Sequence, residues 1–379
     1  MTTATKKRPA AAWTITAPDL RAALTALAPA INARHTMFSG VRLGAYGAEA
    51  FNGELRVLVD LEGADYEPYI VPHGRLAAIA ATAVGDVSFV RDGNTVKITA
   101  GRGQWVLPVI DGEWPERGDE AGKPFLRLPV DQFCRLVESV VSATDGESSR
   151  YALGGVLVEQ RAGDVAFVAT DGRRLHVAYA DVDQAVDDAS AIIPAQAIQT
   201  VARLAKGHAD EAVQLSVCGN ELVVDMEGVT LWARLLEGRF PRWQDVIPKD
   251  VRPEFGTGQD KIYREPPKHA EVTAGELLSA VRQASIVVSE TSRGVQFVFV
   301  DNGLMLTARS AECGESTVTA ELSMSGPKAQ VRLNPAYVAG WLAKVDASAT
   351  IQVFATNAES AVVMRHDDAL AVIMPLADE

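Results

Sequence analysis

The sequence predicts an α+β protein of three similar domains, each β-rich with two helices. Three observations predict it. A helical pattern with a proline near its start occurs three times: IVPHGRLAAIAATAV from Ile70, IIPAQAIQTVARLAKG from Ile192 and LNPAYVAGWLAKVDA from Leu333. Its prolines, Pro72, Pro194 and Pro335, recur at intervals of about a third of the chain, as repeated domains require. Each copy is followed by strand-like runs separated by Gly, Asn and Asp, and each set of runs leads to a proline.

In chain order, the first ten residues, MTTATKKRPA, read as a disordered basic tail that lacks the apolar core of a signal peptide. A short strand, WTIT, precedes a helical pattern at Asp19–Ala30. Comparable patterns fill Val130–Ala143 and Thr273–Val288, with apolar residues at three- and four-residue spacings. Thr273 with Glu276 fits a capping box, which satisfies free backbone donors at the helix start. A proline in the first turn of the second helix type costs no hydrogen bond. The polar join Glu113–Lys123 and the proline-rich stretch Pro248–Ala270 divide the chain. The expected domains are residues 11–121, 122–250 and 271–379, with 251–270 a linker or insertion.

Composition narrows the function. Hydrophobic residues make up 47% and charged residues 22%, an ordinary globular balance. No apolar run reaches the length of a membrane span, so a cytoplasmic location without a membrane partner is expected. Cys134, Cys218 and Cys313 lie far apart and fit buried, reduced thiols. The six histidines show no metal-ligand spacing. A net charge of −13 opposes a high-affinity nucleic-acid binder, so any DNA role must come from local charge or topology. The six helices carry a small positive charge within this acidic chain. Its cations are Arg21, Arg75, Arg135, Arg203, Lys206, Arg282 and Lys344, set against a few acids; those proposed for DNA, all but Arg135, are each either a solvated helix face or a phosphate contact.

The stretch Phe167–Ala180, FVATDGRRLHVAYA, places Asp171-Gly172 between two β-rich runs, a strong hairpin signal. Its wording, Ala-Thr-Asp-Gly-x-Arg-Leu, resembles the signature of the bacterial sliding clamp, the β subunit of the replicative DNA polymerase III. YALGGVLVE from Tyr151, LEGRFPRWQDVIPK from Leu236, SETSRGVQFV from Ser289, LNPAYV from Leu333 and VIMPL from Val372 extend the resemblance over most of the chain. The first domain is the poorest match, and HTMFSG at His35–Gly40 departs from the family wording.

The resemblance implies a DNA-clamp fold, with two chains joined head to tail in a closed ring, helices inside. It implies a processivity factor that encircles duplex DNA without sequence preference. Its partners would be the replicative polymerase, the clamp loader and other proteins carrying clamp-binding peptides. No cofactor is implied; ATP would be used by the loader. The implied peptide pocket comprises Leu153, Thr170, Gly172, Arg173, Arg174, Leu175, Pro241, Asp245, Val246, Ala361, Val372, Ile373, Met374, Pro375 and Leu376. These could equally be plain core residues. Arg34, Arg150 and Tyr151 match loop positions near DNA, although Tyr151 could also pack at a domain edge. Trp105, Leu107, Ile286 and Val287 match the dimer seam. Arg173, Asp245 and the ending Ala377-Asp378-Glu379 depart from the family and alter the charge at the pocket mouth. A diverged paralogue or mobile-element copy with altered partners is therefore an alternative. An enzyme is the remote one: no P-loop, HExxH, GxSxG or nucleotide fingerprint is present, and Asp171 with His176 has no nucleophile beside it.

Overall fold

The computed structural model describes residues 13–61, 67–116, 122–146, 151–182, 188–207, 212–252, 255, 268–290, 293–301 and 303–377. Within them one order of eight strands and two helices runs three times. The first pass has β1 (Trp13–Thr16), α1 (Ala17–Leu27), β2 (Gly40–Gly44), β3 (Gly47–Phe51), β4 (Leu55–Val59), β5 (Tyr69–Pro72), α2 (His73–Thr82), β6 (Asp86–Asp92), β7 (Thr95–Ala100) and β8 (Gly103–Pro108). The second has β9 (Lys123–Pro129), α3 (Val130–Val140), β10 (Gly155–Arg161), β11 (Asp164–Thr170), β12 (Arg174–Asp181), β13 (Ala189–Pro194), α4 (Ala195–Ala205), β14 (Ala212–Cys218), β15 (Glu221–Met226) and β16 (Val229–Arg234). The third has β17 (Ala270–Thr273), α5 (Ala274–Ala284), β18 (Val295–Val300), β19 (Gly303–Ser310), β20 (Gly314–Glu321), β21 (Ala329–Leu333), α6 (Pro335–Leu342), β22 (Thr350–Phe354), β23 (Val362–His366) and β24 (Ala369–Ile373).

Local chemistry accounts for the helix starts. Thr16 Oγ1 accepts from Asp19 N at 3.2 Å, and Asn334 Oδ1 accepts from Ala336 N at 3.0 Å. Thr273 Oγ1 accepts from Glu276 N at 3.3 Å, half of the expected box. The other half is not made in the expected way, because the Glu276 carboxylate accepts instead from Glu321 N on β20. Of the three recurring prolines, Pro72, Pro194 and Pro335, only Pro335 sits inside a first helical turn. Pro72 is the N-cap of α2 and the last residue of β5, and Pro194 likewise ends β13 before α4. An extended residue with φ near −61° suits both the strand end and the proline ring. The helices Asp19–Ala30, Val130–Ala143 and Thr273–Val288 are shorter than expected, each finishing in a single 3-10 turn.

The strands form four sheets, ordered β1-β6-β7-β8, β5-β2-β3-β4-β16-β15-β14-β9, β13-β10-β11-β12-β24-β23-β22-β17 and β20-β19-β18-β21. By packing, the chain divides into two compact units, Met1–Arg127 with Arg203–Arg234, and Leu128–Ala202 with Leu235–Glu379. The reason lies in the sheets: each eight-stranded sheet pools four strands from one pass with four from the next. The joining pairs are β4 with β16 and β12 with β24. By the same order β20 is the third-pass match of β4 and β12, and β8 is the first-pass match of β16 and β24. Both end their four-stranded sheets.

Two apolar clusters of the second unit bear on the site. One packs α5 and α6 against β17–β24, with Ala371 and Ile373. The other gathers Leu157, Val168, Leu175, Val177, Val363, Leu370 and Val372 beneath Phe240, Trp243, Ile247 and Val251. Cys134 is buried and donates to Ala202 O, and Cys218 is half-buried. Cys313 is exposed, contrary to expectation, because it lies in the β19–β20 turn. No helix among the described residues is long and apolar enough to cross a membrane.

Candidate functional site

The hairpin at Asp171-Gly172 forms, with Thr170 opposite Leu175, so its connection is wider than a two-residue turn. Asp171 shapes it. Its Oδ1 accepts from Arg173 N at 2.9 Å and Arg174 N at 3.0 Å. Its Oδ2 accepts from Arg174 Nε at 3.0 Å. Thr170 Oγ1 donates to Arg174 O and accepts from Gly172 N. Gly172 takes φ +82°, which a Cβ would strain. Arg173 is exposed at the tip. Arg174 lies lower, its guanidinium carbon 4.4 Å from the centre of the Tyr337 ring.

The chain end docks beside this turn. β24 is the last strand of the third-pass half, and its pairing with β12 places it inside the eight-stranded sheet. Beyond it, Met374 N donates to Arg173 O at 3.0 Å and Leu376 N donates to Arg332 O at 2.8 Å. Leu175 and Val372 face each other across the joining pair and are buried, with Ala361 packed against their cluster. Above this floor Val246 and Met374 are 45% and 42% exposed. Pro241 and Asp245 are exposed on the segment that carries buried Trp243 and Ile247. Leu153, Pro375 and Leu376 are half-buried. Residues expected of the pocket thus come together from three distant segments around the face that carries Leu175 and Val372.

Arg174 and Ile373, opposite each other, lie on the other face of the sheet. Alternation along β24 turns Ile373 away from Val372 and into the core beneath α5 and α6. Tyr337 was absent from the expected set and belongs beside it; the only sequence signal was its place in LNPAYV, three residues after the N-cap Asn334. His176 excludes the acid–base alternative. It is fully buried, its Nδ1 is 3.4 Å from Ser142 Oγ, and burial, with the Arg174 charge as a lesser cause, pushes its pKa down to about 3.

The expected DNA contacts fare differently from one another. Arg34, Arg75, Arg203, Lys206, Arg282 and Lys344 are exposed. Arg21 is exposed too, but its Nη1 donates to the carbonyls of Ala80 and Ala83 at the end of α2, a helix-capping role that the helical pattern did not reveal. Arg150 and the side chain of Tyr151 lie outside the described residues, as do Asp378 and Glu379. At the expected seam, Trp105 is half-buried and Leu107 buried, whereas the intervening Val106 is 59% exposed on the open strand β8. Ile286 is 77% exposed just after α5, and Val287 is half-buried.

Comparison with known proteins agrees with this architecture. A family model for the central domain of the DNA polymerase III beta subunit matches residues 127–242. The model for its C-terminal domain matches residues 262–377. The beta sliding clamp of Proteus mirabilis is 25% identical over 295 residues, covering 77% of this chain and 76% of that protein. That of Haemophilus influenzae is 26% identical over 275 residues, covering 71% and 70%. Among solved structures, a DNA polymerase sliding clamp from Pseudomonas aeruginosa superposes with a TM-score of 0.85 at 20% identity, over 97% of this chain and 100% of that one. The DNA polymerase III beta subunit of Thermotoga maritima gives 0.86 at 18% identity, over the same shares. Two adjoining family domains, a threefold order of elements and a fold shared along nearly the full length lead to one assignment: the chain belongs to the DNA polymerase III beta subunit, or beta sliding clamp, family.

Proposed function

We propose that this protein is a DNA sliding clamp: a head-to-tail dimeric ring that encloses duplex DNA and tethers the replicative polymerase and other DNA-processing proteins. The observation that carries the reading is the pair of open strands, β8 and β20. Two of the three possible joins between successive passes are made within the chain. The third needs a second copy, with β20 of one protomer against β8 of its partner. Exposed Ile286 and Val106, with Trp105, Leu107 and Val287, support that seam. Enclosure explains how an acidic chain holds DNA: few phosphate contacts give weak, sequence-independent binding that permits sliding. Arg34, Arg75, Arg203, Lys206, Arg282 and Lys344 supply the candidate contacts.

Partner peptides, including one from the clamp loader, dock over Leu175 and Val372 between Val246 and Met374. A buried apolar floor with a few fixing polar groups suits Leu and Phe anchors, and Met374 adapts its shape to them. The chain itself performs no chemistry and needs no cofactor; the loader spends ATP to open the ring. The test is retention on circular DNA after loading, followed by linearisation. A clamp stays on the circle and runs off the linear product. Equal retention on both, or none on either, would sink the reading.

A further inference from the structure

The sheet face that forms an apolar floor in the second unit carries a buried ion network at the matching positions of the first unit. Registers define the match: Gly155 opposite Pro194 corresponds to Gly40 opposite Pro72, and the Thr170–Leu175 pair corresponds to Phe51–Arg56. Leu157, Val168 and Leu175 are therefore replaced by Arg42, Glu49 and Arg56. Glu49 and Arg56 are buried. Glu49 Oε2 accepts from Arg42 Nη1 at 3.0 Å, and its Oε1 is held by Arg56 Nη1. Arg56 is held further: its Nη2 donates to Pro115 O at 2.8 Å and its guanidinium stacks 4.5 Å from the Phe51 ring centre.

Two guanidiniums thus share one carboxylate, which leaves a positive charge uncompensated within the network. That excess emerges at Arg42, whose side chain is 34% exposed and whose only hydrogen-bond partner among the described residues is Glu49. Arg42 opens onto a pocket of about 550 Å³ walled by Gly44, Tyr46, Gly47 and Pro68. We propose that this pocket binds an oxyanion, a carboxylate or phosphate group, on the free edge of the Arg42 guanidinium. A planar fork binds such a group through two parallel N–H bonds, and the partly desolvated setting strengthens them. The exposed Glu116 lines the rim and competes for the same edge.

The test is calorimetric and NMR titration of the full-length dimer with inorganic phosphate and, separately, acetate, against chloride at constant ionic strength. Saturable binding by either anion is expected, with the preferred anion naming the class. Arg42→Gln should weaken it by about tenfold or more, the worth of a charge-assisted pair. Arg42→Lys keeps the charge and should retain part of the affinity. Glu116→Gln should tighten binding by removing the competitor. No saturation by wild type with either anion, or equal binding by wild type and a folded Arg42→Gln, overturns the proposal.

Discussion

The two eight-stranded sheets present the same face at the same register and use it in opposite ways. In the second unit Leu157, Val168, Leu175, Val177 and Val372 build a floor without charge. In the first unit the corresponding residues are Arg42, Glu49, Arg56, Leu58 and Trp232, and three of these form an ion network. Backbone pairing is indifferent to this exchange, because ladder bonds use the main chain. The energetics are not. Leu175 and Val372 are stable together, buried in one apolar cluster with Trp243 and Ile247. Arg56 and Glu49 are stable only as a pair, since a lone buried charge costs several kcal/mol. A repeated fold thus offers two equivalent faces, and side-chain chemistry makes one apolar and the other ionic.

The largest effect that breaks this comparison is Arg56→Met. It strands Glu49 beside a single half-exposed arginine and should destabilise the first unit by about 3–5 kcal/mol. Arg42→Leu/Glu49→Val/Arg56→Leu copies the apolar face and should recover most of that loss. Chemical denaturation of the three proteins measures both, and a triple variant no more stable than Arg56→Met would refute the equivalence of the faces.

On the apolar face, Leu175→Ala should cost about 2–4 kcal/mol and weaken a polymerase-derived peptide. Deleting Met374–Glu379 removes the bonds to Arg173 O and Arg332 O and should abolish peptide binding while dimers persist. Calorimetric titration with gel filtration reads both variants, and full-strength binding by the truncated chain would move the pocket elsewhere.

The open strands allow a sharper separation of dimer from site. Val106→Asp with Ile286→Asp should give monomers at micromolar concentration by sedimentation, with peptide affinity unchanged, because an unpaired charge buried in a seam costs several kcal/mol. A dimer that survives both changes would exclude this pairing.

His176 lies on the other side of β12 from the apolar floor and supplies a pH signature of the second unit. Its folded pKa of about 3 lies below its ordinary 6.5, so only the unfolded chain takes up the proton between these values. Stability should therefore fall as pH drops below about 6.5, by at most about 1.4 kcal/mol per unit from this group. His176→Leu should flatten that slope in denaturation curves measured between pH 7 and 5; an unaltered slope would assign it to other groups.

The smallest expected change is at Arg203 and Lys206. Neutralising both should lower the log–log salt slope of DNA retention by about 0.9 for each phosphate that is no longer paired with a cation, with the dimer intact. A slope equal to that of wild type would place these cations away from DNA.

The amino-acid sequence determined those features that depend on neighbours a few residues apart. Proline-marked helix starts revealed three passes, Thr273 announced the cap of α5, and Asp171-Gly172 announced a hairpin, because caps and turns are closed by adjacent backbone groups. The family wording then brought Thr170–Leu175, Val246 and Val372–Leu376 to one site. Tertiary structure alone decided the rest. Ile373 and Val372 are consecutive apolar residues, and only the pairing of β24 with β12 shows that they enter different cores. Arg21 looked like any helix cation until α2 ended against it. Tyr337 meets Arg174, and Arg56 meets Glu49, through contacts that local periodicity does not encode. The physical reason is strand register: a one-residue shift exchanges the two faces of a strand, so the partners across a sheet exist only once the strands have paired.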